Sequence, residues 1–391
     1  MAQTTSLAPF DVRTLRAREF PALAETTYLN AASVTPLPER ARAAMEGYNR
    51  RRSRIHELED DDFEPTLRRA REAAARLVGA DADEIALMPN TSHGINLAAQ
   101  CLPVPPGSTV VVSDGEFPAN VYPWMGGASR ARLEIVPADP MGRPDEDRLL
   151  ERLDRGDVSI FALSAVQFAT GFRGDLPKLG RFCRERGIFF VVDAIQALGQ
   201  LPLDVREAEV DVLATGGHKW LCAPFGTGFA YVRRELLPRM EPRVVGWSSM
   251  RACTDLSRLL DYQYGFCDEA RKFEVGTPPF QDLPGFTAAL ELLMEVGVER
   301  IRAHLAEILE PLYAWTGEHP EVEVVSDPRP ERRSGIFCFR PPAPEAAFAA
   351  LRDAGVVCVL REGAIRVSPH LYNDAADVRR VVEVLERGGA A

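Results

Sequence analysis

The sequence predicts an α/β fold built on a mainly parallel β-sheet, and three observations lead to that prediction. Six short apolar runs recur between residues 108 and 232, and runs of this length bounded by turn residues are typical of buried strands. Helix-like segments separate several of the runs, and strands that alternate with helices favour a parallel sheet covered on both faces. After Pro284 long helical periodicity takes over, which indicates a second, smaller α+β domain.

The elements of the large domain follow in chain order. Residues 1–26 are expected to form an irregular or helical arm, and TYLNAAS (27–33) a short strand and turn. The region from Pro38 to Gly79 is helical, because Pro and Gly mark its limits and its apolar residues recur with helical spacing. The predicted buried strands are STVVVS (108–113), RLEIVP (132–137), SIFALS (159–164), IFFVVD (188–193), DVLAT (211–215) and TGFAYV (227–232). The predicted helices between them include DEDRLLERL (145–153) and KLGRFCRERG (178–187).

The C-terminal region has a different pattern. We expect one long amphipathic helix from Phe286 to Thr316, followed by the isolated strands GIFCFR (335–340) and AIRVSP (364–369). The predicted organisation is therefore an N-terminal arm at 1–26, a large domain at 27–284 and a small domain at 285–391.

Composition excludes several classes of protein. The chain has 391 residues, of which 46% are hydrophobic and 26% charged, and no run approaches the roughly 18 apolar residues of a membrane span. Its start, MAQTTSLAPF, lacks the features of a secretory signal, so we expect a cytoplasmic protein. A formal charge of -11 without a basic stripe argues against nucleic-acid binding.

Cysteine and lysine usage narrow the possible chemistry. The seven cysteines form no CxxC pair and their number is odd, so neither a disulfide framework nor a metal site is indicated. Only three of the 46 basic residues are lysines. Any reaction that needs an amine therefore has three candidates: Lys178, Lys219 and Lys272.

Polar residues follow two consecutive predicted strands. IFFVVD ends in Asp193 and Gln196 comes three residues later, whereas His218 and Lys219 follow the next strand in ATGGHKW. Because ligands bind beyond the carboxyl ends of strands in open α/β sheets, we expect both strand ends to face one crevice. A helix N-cap would explain Asp193 alone and a surface position would explain Lys219 alone, but neither explains the four residues together.

The chemistry of pyridoxal 5'-phosphate (PLP) explains why these residue types would occur together in one site. A lysine can form an imine with the aldehyde of PLP, and the cofactor then withdraws electrons from the α-carbon of an amino acid. A buried aspartate beside the pyridine nitrogen stabilises its protonated form. The sequence therefore predicts a PLP enzyme in which Lys219 anchors the cofactor and Asp193 faces the ring nitrogen.

Six motifs together resemble a known family. In content and in order they are similar to the class V aminotransferases of PLP fold type I, which include cysteine desulfurases, kynureninase and isopenicillin N epimerase-like enzymes. The resemblance spans about residues 27–375 and implies a mainly parallel seven-stranded sheet between helices, with a smaller α+β C-terminal domain. The motifs are TYLNAAS, NTSHGIN (90–96), GEFPANVYPW (115–124), VVDAIQ (191–196), GGHKW (216–220) and FEVGTPPF (273–280).

The resemblance implies which residues bind the cofactor. Thr91 and Ser92 would meet the phosphate at the start of a helix, where free N–H groups favour an anion. Phe117 replaces the histidine that usually stacks on the cofactor ring, which keeps an aromatic contact but removes imidazole proton transfer. Gln196 would bind the phenolic oxygen of the cofactor, and His218 would bind its phosphate.

The resemblance also implies how the substrate and a second subunit contribute. Thr277 matches a residue that contacts the phosphate of the neighbouring subunit, which implies a homodimer with shared active sites. Arg366, in GAIRVSPHLYN (363–373), matches the arginine that grips the α-carboxylate of the substrate, and Asn30 is expected beside the substrate. Lys219 is then the main proton-transfer group as well as the anchor.

The sequence leaves the reaction open. Cys358 lies in an apolar, strand-like run eight residues before Arg366, so we interpret it as core packing and keep cysteine desulfurase as an alternative. Loss of the α-proton leads to transamination, β-elimination including carbon–sulfur cleavage, or epimerisation, and we favour an aminotransferase or lyase acting on a small amino acid. A non-catalytic PLP-binding relative is a further alternative. A nicotinamide oxidoreductase lacks support, because no GxGxxG follows a predicted strand.

Overall fold

The structure, a computed structural model, describes residues 11–58, 63–126, 129, 131–254, 256–258 and 260–387. Residues 1–10 of the predicted arm and residues 388–391 of the predicted small domain lie outside the described residues. In the part of the chain that is described, the helices lack the combination of length and apolarity that crossing a membrane requires.

The α-helices of the described residues alternate with strands in the first half of the chain and follow one another closely in the second half. In chain order they are α1 (Val12–Glu19), α2 (Glu39–Arg52), α3 (Phe63–Val78), α4 (Thr91–Cys101), α5 (Tyr122–Met125), α6 (Glu146–Leu153), α7 (Leu176–Arg186), α8 (Leu283–Val296), α9 (Val298–Glu318), α10 (Pro344–Asp353) and α11 (Ala375–Arg387).

The strands of the described residues fall into one large sheet and two small ones. In chain order they are β1 (Thr27–Tyr28), β2 (Ile85–Leu87), β3 (Ser108–Ser113), β4 (Ala131–Val136), β5 (Val158–Ser164), β6 (Phe189–Asp193), β7 (Val212–Gly216), β8 (Gly228–Val232), β9 (Glu323–Val324), β10 (Phe337–Arg340), β11 (Val356–Val357), β12 (Val359–Arg361) and β13 (Ala364–Val367).

The large sheet has seven strands in the order β2-β8-β7-β6-β5-β3-β4. The five strands from β7 to β4 run parallel to their neighbours, whereas β8 is antiparallel to both β7 and β2. Alternate residues of one strand face different cores: Val111 of β3 belongs to one buried cluster, and Val110 and Val112 belong to the other. The predicted mainly parallel seven-stranded sheet, buried on both faces, is confirmed.

Most sequence-predicted elements of the large sheet are confirmed to within one residue at each end. The seventh strand, β2, was not predicted, because its three residues are too short to show a pattern. The helical region from Pro38 to Gly79 contains α2 and α3 as separate helices.

The prediction of one long C-terminal helix is wrong. Gly297, with a φ of 91°, separates α8 from α9, and this left-handed backbone is one that glycine adopts without steric cost. Helix α8 begins at Leu283 and so runs across the predicted domain boundary at 284/285. The boundary itself stays a prediction.

The C-terminal region forms a four-stranded antiparallel sheet in the order β12-β13-β10-β9. The described N-terminal segment packs against this C-terminal region, because β1 pairs in parallel with β11 through Thr27 and Val356. Helix α1 is tied there as well, since Arg16 forms an ion pair with Asp377 at 3.0 Å. The segment after β1 therefore lies between the two sheets.

Candidate active site

A cleft of about 350 Å³ opens where the carboxyl ends of β6 and β7 approach the C-terminal sheet. This is the edge at which open α/β sheets bind ligands. Most of the residues that line it were singled out from the sequence. The lining consists of Ala32, Ser33, Asn90, Thr91, Ser92, Phe117, Ala119, Phe168, Asp193, Ile195, Gln196, His218, Lys219, Arg361 and Arg366.

Asp193 and Lys219 are the buried charged pair of the cleft. Asp193 is the last residue of β6, lies beside Ala214 of β7, and accepts a hydrogen bond from the backbone N–H of Ile195 at 3.0 Å. Burial raises the pKa of Asp193, because a carboxylate loses its hydration in an apolar interior. Burial likewise lowers the pKa of Lys219, although the charge of Asp193 opposes this shift.

The backbone around Lys219 is fixed by its neighbours. The Thr35 hydroxyl donates to the carbonyl oxygen of Lys219 at 2.5 Å, and the Thr35 N–H donates to the carbonyl oxygen of His218 at 3.0 Å. A side chain at Gly217 would clash, because its Cβ would stand 2.7 Å from the hydroxyl of Thr227. The GGHK turn therefore holds the lysine in one position against the segment that follows β1.

One end of the cleft is suited to an anion. Helix α4 begins at Thr91, and the side chain of Asn90 caps it by accepting from the N–H of His93 at 3.0 Å. The Thr91 hydroxyl is buried and has no hydrogen-bond partner among the described residues. The first N–H groups of a helix favour a negative charge, so Thr91 and Ser92 present donors where a phosphate would fit.

His218 stands at the same end of the cleft. Its imidazole stacks on the ring of Phe225 with 5.3 Å between centroids, and burial lowers its pKa, to which the charge of Lys219 adds. The ring is therefore neutral at physiological pH, and as a neutral group it can donate one hydrogen bond.

Gln196 is oriented by a tryptophan that the sequence analysis did not assign. The indole N–H of Trp220 donates to Oε1 of Gln196 at 2.7 Å, and Nε2 of Gln196 donates to the carbonyl oxygen of Ala32 at 3.0 Å. Because the oxygen is occupied, the amide presents its second N–H to a ligand. The position of Trp220 directly after Lys219 was a signal, since a buried indole N–H requires a partner.

Arg366 lies on β13 and reaches the opposite end of the cleft. It is 2% exposed, and its two terminal nitrogens donate to the carbonyl oxygen of Phe168 at 2.8 Å and to the hydroxyl of Ser33 at 2.7 Å. Its Nε is buried without a partner among the described residues. Burial lowers the pKa of Arg366, and a buried guanidinium without a carboxylate partner favours the binding of an anion.

Phe117 lies between these two ends of the cleft. The Nζ of Lys219 is 5.5 Å from the centre of the Phe117 ring, and Phe168 packs edge-to-face on the same ring at 5.2 Å. The ring of Phe117 remains 40% exposed in the described chain. It can therefore contact a ligand that lies beside the amine of Lys219.

Glu116 is a second residue that the sequence analysis missed. Its buried carboxylate accepts four hydrogen bonds, and its pKa is raised by burial. These contacts tie the loop that carries Phe117 to the end of β5, beside Asp193. The donors are the Ser164 N–H at 2.8 Å, the Ser164 hydroxyl at 2.5 Å, the Gln167 amide at 2.6 Å and the Asn120 amide at 2.9 Å.

Two sequence-predicted residues lie outside the lining of the cleft. Thr277 lines a neighbouring cavity of about 160 Å³ together with His93 and Gly226. Asn30 forms a backbone bridge with Ser368, and its Oδ1 is buried without a partner among the described residues. Conversely, Arg361 lines the cleft although the sequence analysis did not select it.

The cysteines that the structure describes stay away from the cleft lining. Cys358 lies between β11 and β12, is 8% exposed, and has its pKa raised to about 12 by burial. A thiol with this pKa is protonated and unreactive near neutral pH, which agrees with the interpretation of Cys358 as core packing.

Comparisons with known proteins agree with this architecture. The family model described as "Aminotransferase class-V" matches residues 27–381. A probable cysteine desulfurase of Methanothermobacter thermautotrophicus is 29% identical over 94% of this chain and 96% of its own. The isopenicillin N epimerase of Streptomyces clavuligerus is 28% identical over 92% of this chain and 94% of its own. The apo structure of a cysteine desulfurase from Thermococcus onnurineus, at 23% identity, superposes with a TM-score of 0.85 over 97% of this chain and 99% of that one, and so shares the fold.

Proposed function

The chain belongs to the class V aminotransferase family, and from this we propose that its cleft binds PLP on Lys219 and acts at the α-carbon of a small amino acid. Family membership confirms the predicted resemblance, fold, cofactor and enzyme class. The individual site residues and the reaction are our proposal.

The observation that carries the proposal is that Lys219 and Asp193 line one cleft, with Asp193 at the end of β6 and Lys219 in the turn after β7. Both side chains are buried in one cleft, and burial disfavours the charged form of each. Titratable groups with perturbed pKa values that share a cleft are typical of active sites.

The described residues fit the cofactor. The unpartnered Thr91 hydroxyl and the free N–H groups at the start of α4 suit its phosphate, and Asp193 suits its ring nitrogen. The second N–H of the Gln196 amide suits the phenolic oxygen, and Phe117 offers a face to the ring. When bound, PLP withdraws electrons from the α-carbon of the amino acid and so favours loss of the α-proton.

Lys219 and Arg366 act on the substrate, one in proton transfer and the other in binding. Arg366 holds the α-carboxylate, because its buried guanidinium has a free Nε and lacks a carboxylate partner among the described residues. Lys219 takes up the α-proton, since burial lowers its pKa and keeps the amine available as a base near neutral pH. Phe117 cannot share this task, because a phenyl ring carries no proton.

The proposed reaction is transamination or β-elimination, including carbon–sulfur cleavage. Both begin with removal of the α-proton by Lys219, with the carboxylate held by Arg366. Transamination would then need Lys219 to return the proton on the cofactor side, and β-elimination would need the β-substituent to leave with its bonding electrons. Epimerisation would also need a second acid on the other face of the substrate, whereas Asp193 and His218, the other acid–base groups of the described lining, are assigned to the cofactor. Desulfuration through an attacking thiolate is disfavoured, because Cys358 is buried with a raised pKa.

We further propose that the active form is a homodimer. Exposed apolar side chains lie near the cleft, including Phe225, which is 69% exposed and stacks on His218, and exposed apolar clusters are typical of interfaces. A partner subunit placed there would explain why Thr277 faces a separate cavity. Sedimentation velocity of the PLP-loaded protein should give twice the monomer mass.

Reconstitution with PLP tests the proposed function. The wild-type protein should gain a visible absorbance band that borohydride bleaches, and Lys219→Ala should lack it. Lys178→Ala is the matched control, because the Lys178 side chain is 43% exposed and lies outside the lining of the cleft. A panel of amino acids, with keto acid, sulfide and α-proton exchange followed in parallel, should separate the reactions.

Two results would count against the proposal. A wild-type protein that PLP cannot colour would refute the cofactor site. A coloured protein that leaves every amino acid unchanged, without exchange of the α-proton, would favour a non-catalytic PLP-binding relative.

A further inference from the structure

We propose that Arg361 binds a second anionic group on the side chain of the substrate, so that the enzyme prefers acidic amino acids. The inference rests on the proposed function, because it assumes that Arg366 takes the α-carboxylate. It adds a specificity-determining residue and a substrate class to the site.

The hairpin of β12 and β13 places both arginines on one face. Val359 is paired with Arg366, and Arg361 is paired with Ala364. Residues two apart on a strand share a face, so Arg361 and Arg366 are diagonal neighbours, with backbones about 7–8 Å apart. Both line the cleft, and this register points both guanidinium groups toward it.

Arg361 lacks an anionic partner in the part of the chain that the structure describes. Among the described residues its guanidinium forms no hydrogen bond or ion pair, whereas Arg340, on strand β10 of the same sheet, pairs with Glu323. Its charge acts on the cleft, because it disfavours the charged forms of both Lys219 and Arg366. An exposed cation beside two other cations is stabilised when an anion binds between them.

The two arginines are placed to contact different parts of the substrate. Arg366 is buried at the base of the cleft, and Arg361 is exposed at its rim. An amino acid whose α-carboxylate meets Arg366 would extend its side chain toward Arg361. The rings of Phe117 and Phe168 form an apolar wall beside this path, which suits the methylene groups of such a side chain.

Matched pairs of amino acids test the proposal. Aspartate against asparagine and glutamate against glutamine test a carboxylate, and O-phosphoserine against serine tests a phosphate. The wild-type enzyme should have the higher kcat/KM for the acidic member of at least one pair. Arg361→Gln should lower that kcat/KM about 10–100-fold, as expected for a lost charge-assisted hydrogen bond, and leave the neutral member within about threefold.

Two variants make the result specific. Arg361→Lys should restore part of the preference, because it keeps the charge but not the forked geometry. Arg340→Gln is the matched control, since it removes an arginine of the same sheet that lies outside the cleft lining, and it should leave the preference unchanged.

Three outcomes would overturn the inference: a wild-type enzyme that prefers the neutral members, an equal loss for acidic and neutral members in Arg361→Gln, or a preference that survives this substitution. An equal loss would mean that Arg361 holds the α-carboxylate instead.

A binding measurement separates this inference from the proposed function. Calorimetry of the PLP-loaded protein with succinate and with butyrate should show tighter binding of succinate, and Arg361→Gln should remove most of the difference. If turnover of all amino acids fails, the proposed function fails, yet the succinate experiment still decides whether Arg361 selects a second anion. Equal binding of succinate and butyrate by the wild-type protein would overturn the inference on its own.

Discussion

The cofactor end of the cleft is defined by Thr91, Asp193, His218 and Lys219. Asp193 ends β6, Thr91 begins α4, and His218 and Lys219 lie in the turn after β7. At the substrate end, defined by Phe168, Arg361 and Arg366, the side chains come from a loop after β5 and from a hairpin near the end of the chain. The cofactor end is therefore built around the large sheet, whereas the substrate end depends on how the C-terminal sheet docks. We infer that contacts at the substrate end can be altered without displacing the residues of the cofactor end.

The largest effect is expected from Arg366→Lys, which should impair substrate use but not PLP binding. The variant keeps the positive charge but loses the forked contact with a carboxylate and at least one of the bonds to Phe168 and Ser33. We expect kcat/KM for the amino acid to fall about 100-fold, mainly through KM. Steady-state kinetics and a PLP titration check this together. A loss of PLP affinity as large as the loss of kcat/KM would break the separation of the two ends.

The pH dependence of cofactor loading tests the cofactor end alone. Burial lowers the pKa of Lys219, so the uncharged amine that reacts with an aldehyde is present at lower pH than in ordinary lysine, whose pKa is about 10.4. The loading rate of the apo-protein should rise up to about tenfold per pH unit and level off well below pH 10.4. Stopped-flow absorbance measures it. A rate that still rises steeply at pH 10 would contradict a lowered pKa.

The same shift has a consequence for stability, and its sign follows from linkage. The folded chain binds the Lys219 proton less tightly than the unfolded chain does, so this residue disfavours folding at low pH, where both states are charged. Its contribution to the free energy of unfolding should therefore increase as the pH rises from the lowered pKa toward about 10.4. Urea unfolding of the apo-protein, compared with Lys219→Met, should show that difference.

A smaller effect is expected from Trp220→Phe, which removes the donor that orients Gln196. The buried amide oxygen is left without its partner, which should lower the free energy of unfolding by about 1–3 kcal/mol. The absorbance band of the bound cofactor should also shift, because the Gln196 amide is free to turn. Trp315→Phe is the matched control, since the buried Trp315 N–H has no partner among the described residues. Equal effects of the two substitutions would contradict an orienting role for Trp220.

The smallest effect is expected from Cys358→Ala. The thiol is buried with a pKa raised to about 12, so its removal should change kcat by less than about twofold and cost on the order of 1 kcal/mol of stability. Kinetics with cysteine as substrate and thermal unfolding check both values. A selective loss of sulfide release would instead identify a desulfurase that depends on Cys358.

The sequence predicted the cofactor end better than the substrate end, for a physical reason. Asp193, Gln196, His218 and Lys219 lie within 27 residues of each other, at or just after the ends of two adjacent parallel strands, so local pattern and sheet geometry suffice to bring them together. Arg361 was not predicted as a site residue, because the direction of its side chain depends on the register of the β12–β13 hairpin. A shift of one residue would have turned it away from Arg366.

Contacts between segments that are distant in the sequence could not be predicted from sequence patterns either. The burial of Glu116 depends on donors 48 and 51 residues away, and a lone glutamate in a sequence is ordinarily exposed. The break at Gly297 was missed because apolar residues continue with helical spacing on both sides of it. In each case tertiary packing or one backbone angle outweighed the local pattern.

The most direct test of the central claim uses the scarcity of lysine in this chain. The PLP-loaded protein would be reduced with borohydride, digested, and analysed by mass spectrometry to locate the residue that carries the reduced cofactor. We predict that the added mass resides on Lys219 alone. Labelling of Lys178 or Lys272 instead, or the absence of any labelled peptide, would contradict the assignment of Lys219 as the cofactor anchor.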